Sequence, residues 1–290
     1  MKTLLIGNFG AHNIGDELIL SQALEDYPDA LVMTNDPLSS QAFCEKNFQT
    51  VAFFPTGFRS FLRIFTDKNY RKSLRALKNN IDQIVFPGGG LFAIKTRAYF
   101  LWFMVVLWCR LLCPTAKMIW EHQGLDTQVD VSKKILLKWV FKDAKKISTR
   151  DRPGADFLKA LLQKNIISES DRVRSWSVPA AKTANKILIN ALKSCNTEYE
   201  TLKKTYPEHD FVFLAFDPHD LDAVPDDFSG EIIFPRTISE VKQAFSEFDA
   251  AFGERLHFLI CAKTFADKQT IQTLRMPYAE KVKNFVEAEL

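Results

Sequence analysis

With 290 residues, 47% of them hydrophobic and 25% charged, the chain has enough apolar content to bury one large core or two smaller ones, and two domains are expected. Its 38 basic and 35 acidic residues are well mixed and leave a net charge of +3, which excludes a nucleic-acid surface as the organising feature. Cys44, Cys109, Cys113, Cys195 and Cys261 are odd in number and form no Cys-x-x-Cys, so buried thiols in a reducing cytoplasm are expected rather than a disulfide framework.

The first eight residues carry one basic residue and too short an apolar run for a secretory signal, which again predicts a cytoplasmic protein. Residues 2–6 read as a buried strand running into a glycine-rich turn and a helix over 16–25. Strands at 31–34 and 50–54 follow, then a basic amphipathic helix over 68–78 and a strand at 82–86 that ends in Pro87-Gly88-Gly89-Gly90. Residues 99–109 are intensely apolar and aromatic, but a bilayer-spanning helix needs about 20 such residues, so a buried helix is expected. Residues 99–113 are also the candidate for peripheral membrane contact at the inner face of the membrane.

A strand at 117–120 leads to Glu121-His122-Gln123-Gly124, followed by a helix at 133–141, a strand at 146–149, Arg150-Asp151 and a helix to 163. The first domain is expected to span 1–165 and the second 166–290. The second repeats the alternation, with strands at 186–189, 211–216, 231–234 and 250–252 and helices at 197–205, 238–245 and 256–263. Short strands alternating with helices predict an α/β fold with parallel sheets covered on both faces. The simplest arrangement is two Rossmann-like domains facing across a cleft lined by strand ends.

Three segments carry candidate chemistry. Gly7-Asn8-Phe9-Gly10-Ala11-His12-Asn13-Ile14-Gly15-Asp16-Glu17 places three glycines before a helix start, where free amides attract phosphate or carboxylate. It lacks the dinucleotide-binding spacing and a Walker lysine. Three consecutive glycines at 88–90, directly after a strand, suit close backbone approach to a ligand. Gly253-Glu254-Arg255-Leu256-His257 sets a fixed cation and a titratable imidazole at the head of an apolar segment, a pairing suited to an anionic substrate. Asp217-Pro218-His219-Asp220-Leu221-Asp222 contains an Asp-x-Asp of the kind that holds Mg²⁺ or Mn²⁺; a solvated acidic turn is the plainer reading, and no metal is predicted.

Taken in order, these segments resemble the polysaccharide pyruvyl transferase family. Gly7 to Leu20 is similar to its amino-terminal Gly-Asp-Glu signature, Val85 to Phe92 to its glycine triplet, and Gln123-Gly124 to its Gln-Gly element. Ile147-Ser-Thr-Arg-Asp151 resembles its Ser-x-Arg-Asp segment, Gly253 to Ala262 its Arg-Leu-His motif, and Tyr278-Ala-Glu-Lys281-Val its closing Tyr-x-x-Lys-Val. The resemblance spans nearly the whole chain. It implies a GT-B-like pair of domains and transfer of a pyruvyl group from phosphoenolpyruvate to a sugar of a cell-wall or exopolysaccharide precursor as a cyclic ketal. It further implies a lipid-linked or nucleotide-linked acceptor and neither a metal nor an organic cofactor. The sequence departs from the pattern where Ala93-Ile94-Lys95 replaces an acidic residue, at Leu125-Asp126-Thr127, and at Glu254, a ready ion-pair partner for Arg255.

On this reading Arg255 clamps the donor's carboxylate or phosphate, His257 is the acid/base, and Asp16, with His12 as rival, accepts hydroxyl protons. Gly10, Asn13, Gly15, Gly88, Gly89, Gly90, Gln123, Arg150 and Lys281 are the expected substrate or phosphate contacts. Two further readings stand: a GT-B glycosyltransferase using a nucleotide sugar, and a non-catalytic, degenerate family member.

Overall fold

The computed structural model describes residues 1–92, 96–176, 178–277 and 280–289; Ala93-Ile94-Lys95 and Tyr278 lie outside the described residues. The chain divides into two compact units. The first comprises Met1–Ala11, Ile19–Gln41 and Lys46–Arg172, and the second His12–Leu18, Ala42–Glu45 and Val173–Leu290. The division falls after Arg172 rather than at the expected 165 because the intervening residues stay with the first unit. A short strand there extends the first sheet, and Arg172 donates through Nε to Pro87 O at 3.0 Å and pairs with buried Glu121.

In chain order the first stretch runs β1 (Thr3–Ile6), α1 (Ile14–Asp26), β2 (Leu31–Thr34), α2 (Pro37–Cys44), β3 (Thr50–Ala52), α3 (Phe58–Thr66), α4 (Lys68–Leu77) and β4 (Gln83–Phe86). It continues through β5 (Gly89–Phe92), α5 (Thr96–Leu112), β6 (Lys117–Leu125), α6 (Val131–Phe141), β7 (Ala144–Thr149), α7 (Arg152–Leu162) and β8 (Ile167–Ser168). The sheet order is β3-β2-β1-β4-β6-β7-β8, with β5 alongside β6, and every pairing is parallel. Strands β1, β2 and β4 are buried at all four positions, the continuous apolar pattern of a sheet covered on both faces.

The aromatic segment is a core helix. Tyr99, Trp102, Val105, Val106 and Cys109 of α5 are buried against the sheet, where the Phe86 and Trp120 rings stack at 3.7 Å and Phe141 meets Trp120 edge-on. Among the described residues no helix is long and apolar enough to cross a membrane.

The second stretch contains β9 (Lys186–Asn190), α8 (Asn196–Thr205), β10 (Asp210–Leu214), β11 (Glu231–Ile233), α9 (Ile238–Ala244), β12 (Ala250–Gly253), α10 (Leu256–Phe265), β13 (Thr270–Thr273) and α11 (Glu280–Glu289). Its sheet is parallel throughout, in the order β11-β10-β9-β12-β13. Each unit thus winds outward from its first strand in one direction and then in the other, as a Rossmann-like sheet does. The reversal falls between β1 and β4 in the first unit and between β9 and β12 in the second, and the crevice at such a point is where open α/β sheets bind ligands.

Candidate functional site

In the second unit the reversal point is built by Asn190, the last residue of β9, and by Glu254-Arg255, which follow β12. Asn190 is fully buried; its Oδ1 accepts from Arg255 N–H at 3.1 Å, and its Nδ2 donates to Leu214 O at 2.9 Å and to Asp220 Oδ2 at 3.1 Å. Asp220, also fully buried, accepts the Phe216 amide at 2.9 Å and holds Arg255 Nε at 2.7 and 2.8 Å. Within the Asp-x-Asp segment Asp220 turns inward and anchors the arginine, while His219, Leu221 and Asp222 stay exposed. Asp217 stands 3.8 Å from Arg255 Nη2.

Glu254, the expected competitor, turns away from Arg255. Its Oε2 accepts the Leu192 amide at 2.8 Å and its Oε1 faces Arg275 at 3.6 Å. Arg275 also hydrogen-bonds Glu198 and so holds that carboxyl below its ordinary range. Arg255 is thus neutralised by a carboxylate 35 residues away in sequence rather than by its neighbour, which corrects its expected role as a free anion clamp.

His257 lies in the first turn of α10. The glycine loop reaches it directly, because His12–Leu18 belongs to the second unit. A Cβ on Gly15 would sit 1.9 Å from His257 Nδ1, so only glycine leaves room for the ring. Two bonds fix the loop: Ile14 N donates to Phe216 O at 2.9 Å, and Asn13 Nδ2 to Asp217 at 3.3 Å. Asn13 Oδ1 also accepts from Asp16 N at 3.3 Å, the contact of a helix N-cap, so Asn13 orders the start of α1 rather than reaching for substrate. Asp16 is half-buried in that first turn, and His12 is exposed with a positive φ of 57°. Gly10 belongs to the first unit, where its φ of 74° and close packing on Thr34 and Asp36 make it a turn residue and not a phosphate contact.

The first unit's reversal point carries the glycine triplet. Gly88 and Gly89 have φ of 136° and 97°, conformations that a side chain would strain, and Gly90 is exposed. The triplet is not a loose loop: its last two glycines open β5, and Gly89 pairs with Gln123. Gln123 itself is fully buried and its Nε2 donates to Phe86 O and Glu121 O, both at 2.9 Å. It ties the end of β4 to β6, which corrects its assignment as a substrate contact. Beneath it, Glu121 gathers Arg172, Lys146 and the Tyr27 hydroxyl, and burial together with Glu121 pushes Tyr27 up to about 12.

Arg150 is likewise internal. Its guanidinium lies over Gly124, where a Cβ would come within 2.3 Å, and Nη1 faces Asp171 at 3.4 Å with both side chains buried. It is an ion pair beneath the backbone, not an exposed anion contact. The following Asp151 caps α7 by accepting Gly154 N–H at 2.7 Å. Asp151→Ala is expected to cost about 1 kcal/mol, read as a lower urea midpoint with no change in ligand binding. Lys281 is exposed on α11. All five cysteines are buried thiols outside any disulfide, and burial lifts Cys113 and Cys195 to about 11, which leaves those two inert as nucleophiles.

The structure therefore brings together Asn13, Gly15, Arg255 and His257, and separately Gly88, Gly89, Gly90 and Gln123. Sequence reasoning gives Asn190 no role, and gives Asp217 and Asp220 only the roles of metal ligand or solvated turn. The available signal was their position: polar residues at or just beyond the carboxyl ends of buried strands.

No family model and no curated protein matches the chain. Solved structures do. A UDP-GlcNAc 2-epimerase from Neisseria meningitidis, bound to UDP-GlcNAc, aligns with a TM-score of 0.60 at 11% identity over 99% of this chain and 86% of that one. An Anabaena protein solved with UDP and glucose aligns at 0.56 and 10% identity, over 99% and 88%. A UDP-GlcNAc 2-epimerase from Methanocaldococcus jannaschii, in complex with UDP-GlcNAc and UDP, aligns at 0.53 and 12% identity, over 100% and 93%. At these identities the likeness is one of fold, the GT-B-like class of paired Rossmann-like units.

Proposed function

We propose that the chain is a sugar-directed transferase that moves a pyruvyl group from phosphoenolpyruvate onto a polysaccharide precursor as a cyclic ketal. The observation that carries this reading is the seating of Gly15 against His257. Two segments far apart in sequence, each resembling a pyruvyl transferase motif, meet as an imidazole beside the amino-terminal turn of a helix. Such a turn favours an anion, and an imidazole near neutrality can both give and take a proton.

The chemistry needs both. His257 protonates the methylene carbon of phosphoenolpyruvate while a sugar hydroxyl attacks the carbon bearing phosphate, forming the first C–O bond. Asp16 accepts the proton of that first hydroxyl, phosphate then leaves with the electrons of its C–O bond, the second hydroxyl attacks the same carbon, and its proton returns to His257. Arg255, with its Nε edge on Asp220, positions the turn that presents His257.

A second reading has its own support. The structural neighbours hold UDP or UDP-GlcNAc, which suits a glycosyltransferase that takes a nucleotide sugar. The test is to supply the chain with phosphoenolpyruvate and a panel of UDP-linked and lipid-linked amino sugars. Phosphate release that consumes phosphoenolpyruvate and yields an acceptor heavier by a ketal-linked pyruvyl group is expected. UDP release from a nucleotide sugar, with phosphoenolpyruvate untouched, would instead establish the glycosyltransferase.

A further inference from the structure

Even mixing of charge over the whole chain hides one segregated patch. Residues 58–78, the α3–α4 hairpin of the first unit, contain Arg59, Arg63, Lys68, Arg71, Lys72, Arg75 and Lys78 against the single acid Asp67. The net charge of the whole chain is only +3, so the remainder is acidic on balance. The same hairpin exposes three apolar side chains of α3. Phe61 is 45%, Leu62 44% and Phe65 66% accessible, with the Phe61 and Phe65 rings edge-to-face at 5.8 Å. Of the α3 side chains, Ile64 packs on the core. A helix that presents phenylalanines and a leucine to water is backwards for a soluble fold.

This face is held in place rather than frayed. Tyr70, Leu74 and Leu77 bury α4 in the core, and the Tyr70 hydroxyl donates to Phe53 O at 2.8 Å. Arg71 Nη1 donates to Ile64 O at 2.9 Å and Phe65 O at 2.6 Å, which ties the end of α3 to α4. Asp67 caps α4 and pairs with Arg63, and those bonds hold its carboxyl below the ordinary range. The exposed Lys68, Lys72, Arg75 and Lys78 continue the positive charge along α4.

We infer that the α3–α4 hairpin docks the protein on an anionic lipid surface, with Phe61, Leu62 and Phe65 entering the acyl boundary and the basic side chains meeting phosphate headgroups. Apolar side chains flanked by arginine and lysine are what an interfacial helix requires, and the two terms reinforce each other. A second copy of the chain is the poorer occupant, because a two-fold contact would set this positive face against itself. The sequence expectation had placed membrane contact at 99–113. Of those residues Tyr99, Trp102, Val105, Val106 and Cys109 are buried in the core while Phe100 and Leu111 are exposed, and the contact is placed on the hairpin because charge and apolar exposure coincide there. This inference holds whichever donor the second unit takes.

The test is co-sedimentation of the full chain with vesicles of phosphatidylcholine alone or mixed with phosphatidylglycerol, beside sedimentation velocity without lipid and a single-stranded oligonucleotide binding assay. Binding to the anionic vesicles alone, weakened by salt, is expected. Lys72→Glu/Arg75→Glu should reduce it by about tenfold or more, since each basic residue near such a surface contributes roughly fivefold. Phe61→Ser/Phe65→Ser should reduce it comparably while the thermal melt is retained, because these side chains are exposed. Equal binding to neutral vesicles, absence of binding, or binding that neither variant changes would overturn the inference. So would a hairpin-dependent dimer or hairpin-dependent oligonucleotide binding in a protein that ignores vesicles.

Discussion

Arg255→Ala is expected to lower stability by about 3–5 kcal/mol, because it strands a buried carboxylate that no other cation meets among the described residues. The Asp220 side chain is 1% exposed, and its charge is met by the Nε edge of Arg255. The Phe216 amide and Asn190 Nδ2 would remain as donors, but they carry no charge. Adding Asp220→Asn should return most of the loss, since a neutral amide has no ion to bury, whereas Asp220→Asn alone should cost less than Arg255→Ala. The reason is exposure: an arginine that is 24% accessible can turn to water, and its fully enclosed partner cannot. The four urea midpoints form a double-mutant cycle with a large favourable coupling. A near-zero coupling would sink the assignment of Asp220 as the anchor. The same cycle separates two roles for Arg255. If the double variant is stable but inactive, the arginine also touches substrate; if activity returns with stability, it only positions the turn.

The fold was legible because buried parallel strands are short apolar runs and their helices begin at capping residues. Residues 31–34, 186–190 and 250–253 all announce themselves in this way. What escaped has physical reasons. Strand β5 gives no sequence signal because Gly89-Gly90 carries no strand propensity; only its pairing with β6 makes it a strand. Strand β13 and helix α2 are half-polar and short, and α3 shows its apolar residues to solvent, so periodicity pointed at no core. The site divided similarly. Arg255, His257 and the glycines stand in recognisable local patterns. Asn190 and Asp220 act 65 and 35 residues away from Arg255, and no local pattern links positions brought together only by sheet order. Glu254 shows the converse error, since adjacency in sequence suggested a pairing with Arg255 that the backbone turn directs to Leu192 and Arg275 instead.

Gly15→Ala should be as damaging to activity as loss of the histidine itself. The added methyl would lie 1.9 Å from His257 Nδ1 and 2.5 Å from Cγ, and contact with Cγ means that no turn of the imidazole about its own bond relieves it. The side chain must leave its rotamer or α1 must shift, at a cost of about 1–3 kcal/mol for an overpacked site. Displacing an acid/base group by about an ångström costs on the order of 100-fold in rate. His257→Ala should remove activity to a similar degree with little loss of stability, because its ring is half-buried. The decisive case is the pair. If Gly15 is there to seat the imidazole, Gly15→Ala/His257→Ala should be no less active than either single variant and more stable than Gly15→Ala. Two rate losses that simply multiply would mean that Gly15 serves the substrate through its own backbone, and that the ring lies beside it for packing alone.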